Sequence, residues 1–117
     1  MKVTLADKLS QISTHWDPHV VADYNGNDVM AVKFQGEFPF HSHVDTDDFF
    51  LVLKGEMTMD IEGQDSVPLR AGDLYIVPAG VRHRPRAAQE VEVLLIEPKG
   101  EPNSGDADRP AAAKPRL

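Results

Sequence analysis

Residues 36–55 of this chain read GEFPFHSHVDTDDFFLVLKG and contain two histidines, His41 and His43, separated by a single residue. On a β-strand, residues two apart project to the same face, so these imidazoles would lie close enough to share one ion. Asp48 follows a polar segment that can turn the chain and start a partner strand. Its carboxylate can therefore return beside the imidazoles, which predicts a chelating cluster.

A second segment, residues 72–83, reads GDLYIVPAGVRH and supplies a third imidazole, His83. The turn residues Pro78-Ala79-Gly80 come shortly before it and set where its strand begins. Three imidazoles and one carboxylate leave open positions on an ion that prefers six ligands. Such a set suits Fe(II), Mn(II), Ni(II), Co(II) or Zn(II), and the residue types do not choose among these metals.

Together the two segments resemble the two signature motifs of the cupin superfamily. The first motif is matched by Gly36, four residues, His41-Ser42-His43, four residues, Asp48, six residues and Gly55. The second is matched by Gly72, five residues, Pro78-Ala79-Gly80, two residues and His83. The resemblance covers residues 29–97 and is nearest to small single-domain cupins of the conserved-barrel, mannose-6-phosphate-isomerase-like type.

The resemblance implies an all-β fold, the double-stranded β-helix or jelly-roll barrel, with a divalent transition metal inside its mouth. The implied metal ligands are His41, His43, Asp48 and His83. The family usually has Glu where this chain has Asp48, which is one methylene shorter. Asp48 therefore ligates either directly or through a bridging water.

Side chains near the cluster are candidates for substrate binding and catalysis. Phe50 and Val52 share the parity of Asp48 and are predicted to face the same interior. Tyr75 is one of the few acid or base groups near the motifs, and Asp48 itself is the candidate catalytic base. We therefore name Phe50, Val52 and Tyr75 as candidate substrate-binding residues.

These residues leave two classes of function open. The first is a metal-dependent enzyme, namely a dioxygenase, an isomerase or a related enzyme, that acts on a small polar or anionic organic molecule. The alternative is a non-catalytic module that binds or senses a small molecule through the same ion. The enzyme ranks slightly ahead, and fold analogy does not select a reaction. A structural dimer with a vestigial site is the least favoured hypothesis, since no imidazole of the set is missing.

Arg82, Arg84 and Arg86 form a basic cluster in an otherwise acidic chain. Their parity is opposite to that of His83, so they are predicted to point outward and to pair with surface carboxylates. A receptor for a substrate carboxylate or phosphate is the less favoured interpretation. His19 lies outside both motifs, and a surface or packing role is expected for it.

The composition limits the partners and the compartment. The chain has 117 residues, enough for one domain. Its 12 Lys and Arg residues against 19 Asp and Glu residues give a net charge of −7. This charge disfavours nucleic acid and anionic membranes as partners, so a small-molecule ligand is predicted instead. There are no cysteines, which excludes thiolate ligands, and no apolar leader or spanning segment, so we expect a cytoplasmic protein.

Three regions are predicted along the chain. Residues 1–19 form a lead-in with a helix at 4–13, in which Leu5, Leu9 and Ile12 share one face. Residues 20–97 form the barrel, which starts with a type I′ hairpin at Asn25-Gly26. Its further strands are predicted at 38–43, 48–53, 57–61, 74–77, 82–85 and 91–96.

Residues 98–117 form a Pro-rich tail without a strand period, predicted to be either mobile or draped over another surface. A barrel this small leaves sheet edges and one outer face uncovered. Because proteins usually cover such edges, a homodimer is predicted.

Overall fold

The computed structural model describes residues 1–101 and 114–117. The described residues form one helix and seven strands: α1 (Leu5–Leu9), β1 (His19–Tyr24), β2 (Asn27–Glu37), β3 (Asp48–Lys54), β4 (Glu56–Ile61), β5 (Val67–Arg70), β6 (Leu74–Val77) and β7 (His83–Pro98). Among these residues, no helix has the length and apolar character that a membrane span requires.

The longest strand, β7, organises the sheet. Its first part pairs antiparallel with β4, beginning with His83 opposite Ile61. Its second part lies between β2 and β3, where Val93 is opposite both Val32 and Val52. The strand order is β1-β2-β7-β3-β6, and β4 pairs with both β5 and β7. The predicted all-β jelly-roll barrel with a short N-terminal helix is confirmed.

Alternating burial along β7 explains how one strand serves both parts of the barrel. Its odd-numbered residues from His83 to Ala87 and from Val91 to Glu97 are buried. The exposed run 88–90 interrupts this alternation between the two strands predicted at 82–85 and 91–96. The structure instead continues one strand across a bulge that lies opposite, between Phe34 and Gly36. The short strand β5 was not predicted, because a four-residue strand that contains a proline carries little strand signal.

The first hairpin has the predicted turn. Asn25 and Gly26 connect β1 to β2, with φ values of 47° and 77°, and Tyr24 lies opposite Asn27. A type I′ turn requires positive φ at both central residues, a conformation that Asn and Gly tolerate best. The hairpin prediction is confirmed.

Residues 38–47 connect β2 to β3 and carry the histidine pair. We predicted a strand at 38–43, but the structure has an isolated bridge there, with His41 opposite His83. Pro39 has no backbone N–H, so it cannot contribute a donor to a regular ladder. His41 N donates to His83 O at 2.9 Å and His83 N to His41 O at 2.8 Å, while Gly80 N donates to His43 O at 2.7 Å. These bonds fasten the segment to the start of β7.

Two apolar clusters stabilise the fold. One fills the barrel and includes Met30, Val32, Phe34, Val52, Met59, Val91 and Val93. The other lies outside the sheet, where Leu9 and Ile12 pack on Val21 and Ala31. The helix ends at Leu9, earlier than predicted, and Thr4 makes no side-chain cap. The packing of Leu9 anchors the helix on the outside of the sheet.

The last four residues lie along β1. Val20 N donates to Pro115 O at 2.8 Å, and Leu117 N donates to Val20 O at 2.9 Å. Leu117 also packs on the outer apolar cluster. The predicted tail includes residues 102–113, which lie outside the described residues, and the predicted division of the chain at residues 19 and 97 stays a prediction.

Gly55, between β3 and β4, offers a test of this packing. Its φ is +88°, and a Cβ there would lie 3.1 Å from Glu90 O, whereas Gly63 has φ +77° and open space around it. Alanine costs about 1–2 kcal/mol at either position because of the left-handed backbone. We expect Gly55→Ala to lower the free energy of unfolding by about 1 kcal/mol more than Gly63→Ala in urea titrations, since it also crowds backbone. Equal losses would contradict the close approach of β7.

Candidate metal centre

The structure brings His41, His43, Asp48 and His83 together inside the barrel. Each residue offers one candidate ligand atom, and these four atoms lie within 4.8 Å of one another. All four side chains are buried. Asp48 begins β3 and His83 begins β7, while the other two come from the connection between β2 and β3. The fold thus clusters the four residues that the sequence pointed to.

The three imidazoles share one orientation. Each Nδ1 meets an oxygen at the edge of the cluster: Pro39 O at 2.9 Å from His41, Val81 O at 2.9 Å from His83, and Glu101 Oε1 at 3.0 Å from His43. Each Nε2 is then left to face the interior. Outer partners of this kind fix the tautomer and the ring orientation of metal-ligating histidines.

The inward nitrogens converge on Asp48 Oδ2. Nε2 of His83 lies 2.8 Å from this oxygen, that of His43 3.3 Å and that of His41 4.0 Å. Among the described residues, His43 Nε2 is buried without a hydrogen-bond partner, because its contact with Asp48 lacks hydrogen-bond geometry. A buried polar atom without a partner is costly, and a cation at this place would satisfy it. The donor set therefore fits a divalent transition metal.

Burial and charge set the protonation of the cluster. Burial lowers the pKa of His41 to about 4, so this imidazole is neutral at pH 7. Burial also acts to lower the pKa of His43, but Asp48 and Glu101 outweigh it and raise that pKa to about 9. A metal ion that binds His43 Nε2 therefore displaces a proton from it. Burial opposes ionisation of Asp48, yet its close contacts with His43 and His83 bring the pKa of this carboxyl below its usual value. Asp48 is therefore an anion, the form that ligates a metal.

A small cavity opens beside His41 and Asp48. Its other lining residues are Trp16, Pro18, Val32, Phe34, Phe38, Phe50, Pro85, Leu95 and Glu97. The volume open to the centre of a water-sized sphere is about 50 Å³. This space exceeds the 10–15 Å³ or so that one water needs, and its lining is largely apolar. The cavity therefore has room for a few waters or a small apolar group.

Trp16 forms one wall of the cavity in a backbone conformation that bulky residues rarely adopt, with φ 59°. Its backbone N–H donates to Lys33 O at 2.9 Å, and its indole N–H donates to Gln35 O at 3.1 Å. The indole stacks on Phe34, with centroids 4.4 Å apart, and lies 5.1 Å from the ring of Phe38. Strained backbone held by distant partners is common at functional sites.

The predicted substrate-binding residues lie in different environments. Phe50 lines the cavity, and its ring meets that of His83 edge to face at 6.2 Å. Val52 faces the interior as predicted but belongs to the packed core. Tyr75 is half-buried on β6, opposite Phe50. Neither Val52 nor Tyr75 is among the residues that line the cavity, and the role of all three in substrate binding stays a prediction.

Glu97 was not predicted as a site residue, although it lines the same cavity. Burial, reinforced by the charge of Asp48, raises the pKa of Glu97 to about 7, and Lys114 opposes this rise. Lys114 Nζ lies 3.3 Å from Glu97 Oε2. One feature of the sequence could have indicated this position: Glu97 is odd-numbered, like the other buried residues of β7.

The arginines of the second motif are paired with carboxylates outside this cluster, as the favoured interpretation predicted, although one of these carboxylates, Asp60, is buried and not on the surface. Arg84 Nε and Arg86 Nε both donate to Asp60 Oδ2, at 2.9 and 2.8 Å. Arg82 Nε lies 3.3 Å from Glu62. These ion pairs leave the anion-receptor interpretation without support.

Comparison with known proteins identifies the family. Residues 28–97 match the Cupin domain family. The chain belongs to this family. An uncharacterized protein of Bacillus subtilis, YdbB, is 33% identical to this cupin over 79 residues, which span 68% of the chain and 70% of YdbB. The finer resemblance to mannose-6-phosphate-isomerase-like cupins stays a prediction.

Relatives with a named activity match a shorter part of the cupin. The 3-hydroxyanthranilate 3,4-dioxygenase of Ruegeria pomeroyi is 42% identical over 65 residues, 52% of this chain and 36% of the enzyme. The chain thus spans about a third of that relative.

Solved structures agree with the fold. A cupin-2 domain containing protein from Shewanella frigidimarina is 38% identical with a TM-score of 0.80, over 83% of this chain and 94% of that one. Hydroquinone 1,2-dioxygenase from Sphingomonas sp. TTNP3 has a TM-score of 0.74 at 23% identity, over 91% of this chain and 33% of that one. At that identity the likeness concerns the fold alone.

The proposed ligand set predicts a clear contrast between two histidines. We expect close to one metal ion per chain after loading with Fe, Mn, Ni, Co or Zn. His83→Ala should weaken metal affinity by more than about a hundredfold, since outer partners alone are worth about 10- to 100-fold. His19→Ala should leave affinity unchanged, because His19 Nδ1 bonds Asp17 O outside the cluster. Elemental analysis and metal titration measure both, and equal effects would contradict the ligand assignment.

Proposed function

We propose that this cupin is a metal-dependent dioxygenase that acts on a small hydroxylated aromatic molecule. The observation that carries the proposal is the convergence of three buried imidazole nitrogens and one carboxylate oxygen beside an aromatic cavity. Under this proposal His41, His43, Asp48 and His83 hold one divalent transition metal.

The similarity to 3-hydroxyanthranilate 3,4-dioxygenase favours oxygen chemistry over isomerisation. The substrate in that enzyme's name carries a hydroxyl group on an aromatic ring. Because the cupin spans about a third of that enzyme, the activity and the substrate class are proposals for this chain. The aromatic lining of the cavity supports them independently, since flat rings pack well against Trp and Phe.

A ring-opening dioxygenase breaks one carbon–carbon bond of its substrate and places both atoms of dioxygen on the two carbons which that bond had joined. The ring supplies the electrons that reduce dioxygen, so no other reductant is consumed. The bound metal supplies the Lewis-acid and redox chemistry.

The residues of the chain itself position the substrate. Trp16, Phe34 and Phe50 offer flat apolar surfaces that orient a ring and exclude water. Glu97 is the carboxylate of the cavity outside the ligand set, and its oxygens can accept the proton of a substrate hydroxyl group. Asp48 Oδ2 is close to all three imidazoles, which supports a ligand role over the alternative of a catalytic base.

Oxygen consumption tests the proposal. Protein loaded with Fe(II) should consume one dioxygen per molecule of a hydroxylated aromatic such as hydroquinone or 3-hydroxyanthranilate. Both atoms of ¹⁸O₂ should appear in the product by mass spectrometry. Benzoate, which lacks a ring hydroxyl, should not react, and His83→Ala should abolish turnover.

A different outcome would favour the binding module. In that case the protein holds one metal per chain and binds the aromatic compounds, seen as a change in the fluorescence of its single tryptophan, Trp16, without consuming oxygen. Only the enzyme hypothesis would then be rejected, because metal binding and ligand binding are each measured separately from oxygen consumption.

We also propose that the protein is a homodimer that uses the outer face of β6 and β3. The edge of β1 is occupied by residues 114–117, whereas β6 is the edge strand at the other end of the sheet order. Its Leu74 and Ile76 are 54% and 42% exposed and lie opposite Leu51 and Phe49 of β3. Apolar exposure on an edge strand favours pairing with a second copy. A cytoplasmic location stays a prediction.

Leu74→Asp should convert the dimer to a monomer at micromolar concentration in sedimentation experiments, because it places a charge in the proposed interface. Tyr24→Asp is the matched control, since Tyr24 is 62% exposed on β1 at the opposite end of the sheet. A wild-type protein that sediments as a single chain would contradict the dimer.

A further inference from the structure

The C-terminal residues 114–117 are docked on the barrel by several kinds of contact. Two backbone hydrogen bonds join them to Val20, and Leu117 is part of the outer apolar cluster. The guanidinium of Arg116 reaches both carboxylate oxygens of Asp23, at 3.1 and 3.3 Å. This docking places Lys114 at a defined position beside the candidate metal centre.

The side chain of Lys114 is buried and has two polar partners. Its side chain is 8% exposed, and the Glu97 side chain 3.3 Å away is 5% exposed. The ammonium group also donates to the backbone carbonyl of Glu101 at 2.8 Å. A buried ammonium group is stable only when such partners compensate its lost hydration.

Glu101 connects Lys114 to the candidate metal centre. Its carbonyl oxygen accepts from Lys114, and its carboxylate lies 3.0 Å from Nδ1 of His43. His43 Nε2 is the buried nitrogen that has no hydrogen-bond partner within the described part of the chain. The direction in which that nitrogen points depends on the ring orientation that Glu101 sets.

We propose that Lys114 is a positioning residue of the metal centre: from the docked C-terminal segment it holds Glu101, which orients His43, and it holds Glu97 at the cavity. The inference rests on the proposed function in taking His43 as a metal ligand. The Lys114 ammonium group thereby contacts both Glu101, whose carboxylate orients His43, and Glu97, whose carboxylate lines the cavity.

The physical basis is the short stretch of chain between the two contacts of Lys114. Glu97 is the penultimate residue of β7. Glu101 follows this strand after a turn, and its backbone N–H donates to Pro98 O at 3.2 Å. The ammonium group bridges the strand and this turn. Without it, the turn loses a contact to the barrel, and the Glu101 carboxylate is held less firmly against the imidazole.

Metal affinity measured without turnover tests the inference. Titration with Co(II), followed by visible absorption, should show that Lys114→Met binds about tenfold more weakly than the wild-type protein, the scale expected for an outer partner. Arg116→Met is the matched control: it removes a cation from the same segment, but the backbone hydrogen bonds to Val20 and the packing of Leu117 still dock that segment, so Co(II) affinity should fall far less than tenfold. Equal affinities of Lys114→Met and the wild-type protein would overturn the proposal.

A double-mutant cycle separates positioning from general stabilisation. Glu101→Gln should itself weaken Co(II) binding about tenfold. Adding Lys114→Met should then have little further effect, since both changes act on the contact between the Glu101 carboxylate and His43. Fully additive losses would contradict the route through Glu101.

Lys114→Met alone leaves the Glu97 carboxylate buried without its counter-ion, which destabilises the folded protein. Lys114→Met combined with Glu97→Gln avoids this, and it should bind Co(II) about tenfold more weakly than Glu97→Gln alone. An unchanged affinity in that pair would overturn the inference. A wild-type protein that binds no Co(II) would instead contradict the proposed metal centre, so the two failures are distinguishable.

Discussion

Two backbone hydrogen bonds between His41 and His83 join the connection before β3 to the first residue of β7. They bring together two segments that are about forty positions apart in the chain, the connection between β2 and β3 and the start of β7. Because β7 continues from this bridge between β2 and β3, the same pairing that positions an imidazole also aligns the central strand of the sheet. The site and the barrel are therefore one arrangement, and a change in one alters the other.

Burial of this cluster has a cost that the surrounding residues offset. A carboxylate and three imidazoles are removed from water, which is unfavourable unless each polar atom finds a partner. Carbonyl oxygens of Pro39 and Val81 and the carboxylate of Glu101 satisfy the outer nitrogens. The inner nitrogens are only partly satisfied by Asp48. The proposed metal would complete the set, and this requirement links folding of the barrel mouth to metal binding.

The cavity beside the cluster is likewise shaped by contacts between residues that are distant in the chain. The stacked pair of Trp16 and Phe34 forms its wall, and hydrogen bonds to Lys33 and Gln35 keep the tryptophan in a left-handed backbone conformation. Glu97 adds a carboxylate at one side, with Lys114 as its counter-ion. The cavity lining is mostly apolar, which suits contact with a small ring that carries few polar groups.

Much of the fold and the four candidate ligands could be predicted from contiguous residues. The spacing of His41 and His43, the Pro78-Ala79-Gly80 turn and the Asn25-Gly26 hairpin are local signals, because parity and turn chemistry depend on neighbours in the chain. The roles of Trp16, Glu97 and Lys114 could not be predicted in this way. Each depends on contacts between residues far apart in the chain: Lys114 meets Glu97 only because the C-terminal segment returns along β1. The sequence alone thus determined the candidate donor set and most of the strand pattern. The tertiary structure decided which side chains surround the donors, since burial and long-range pairing exist only once the chain is folded.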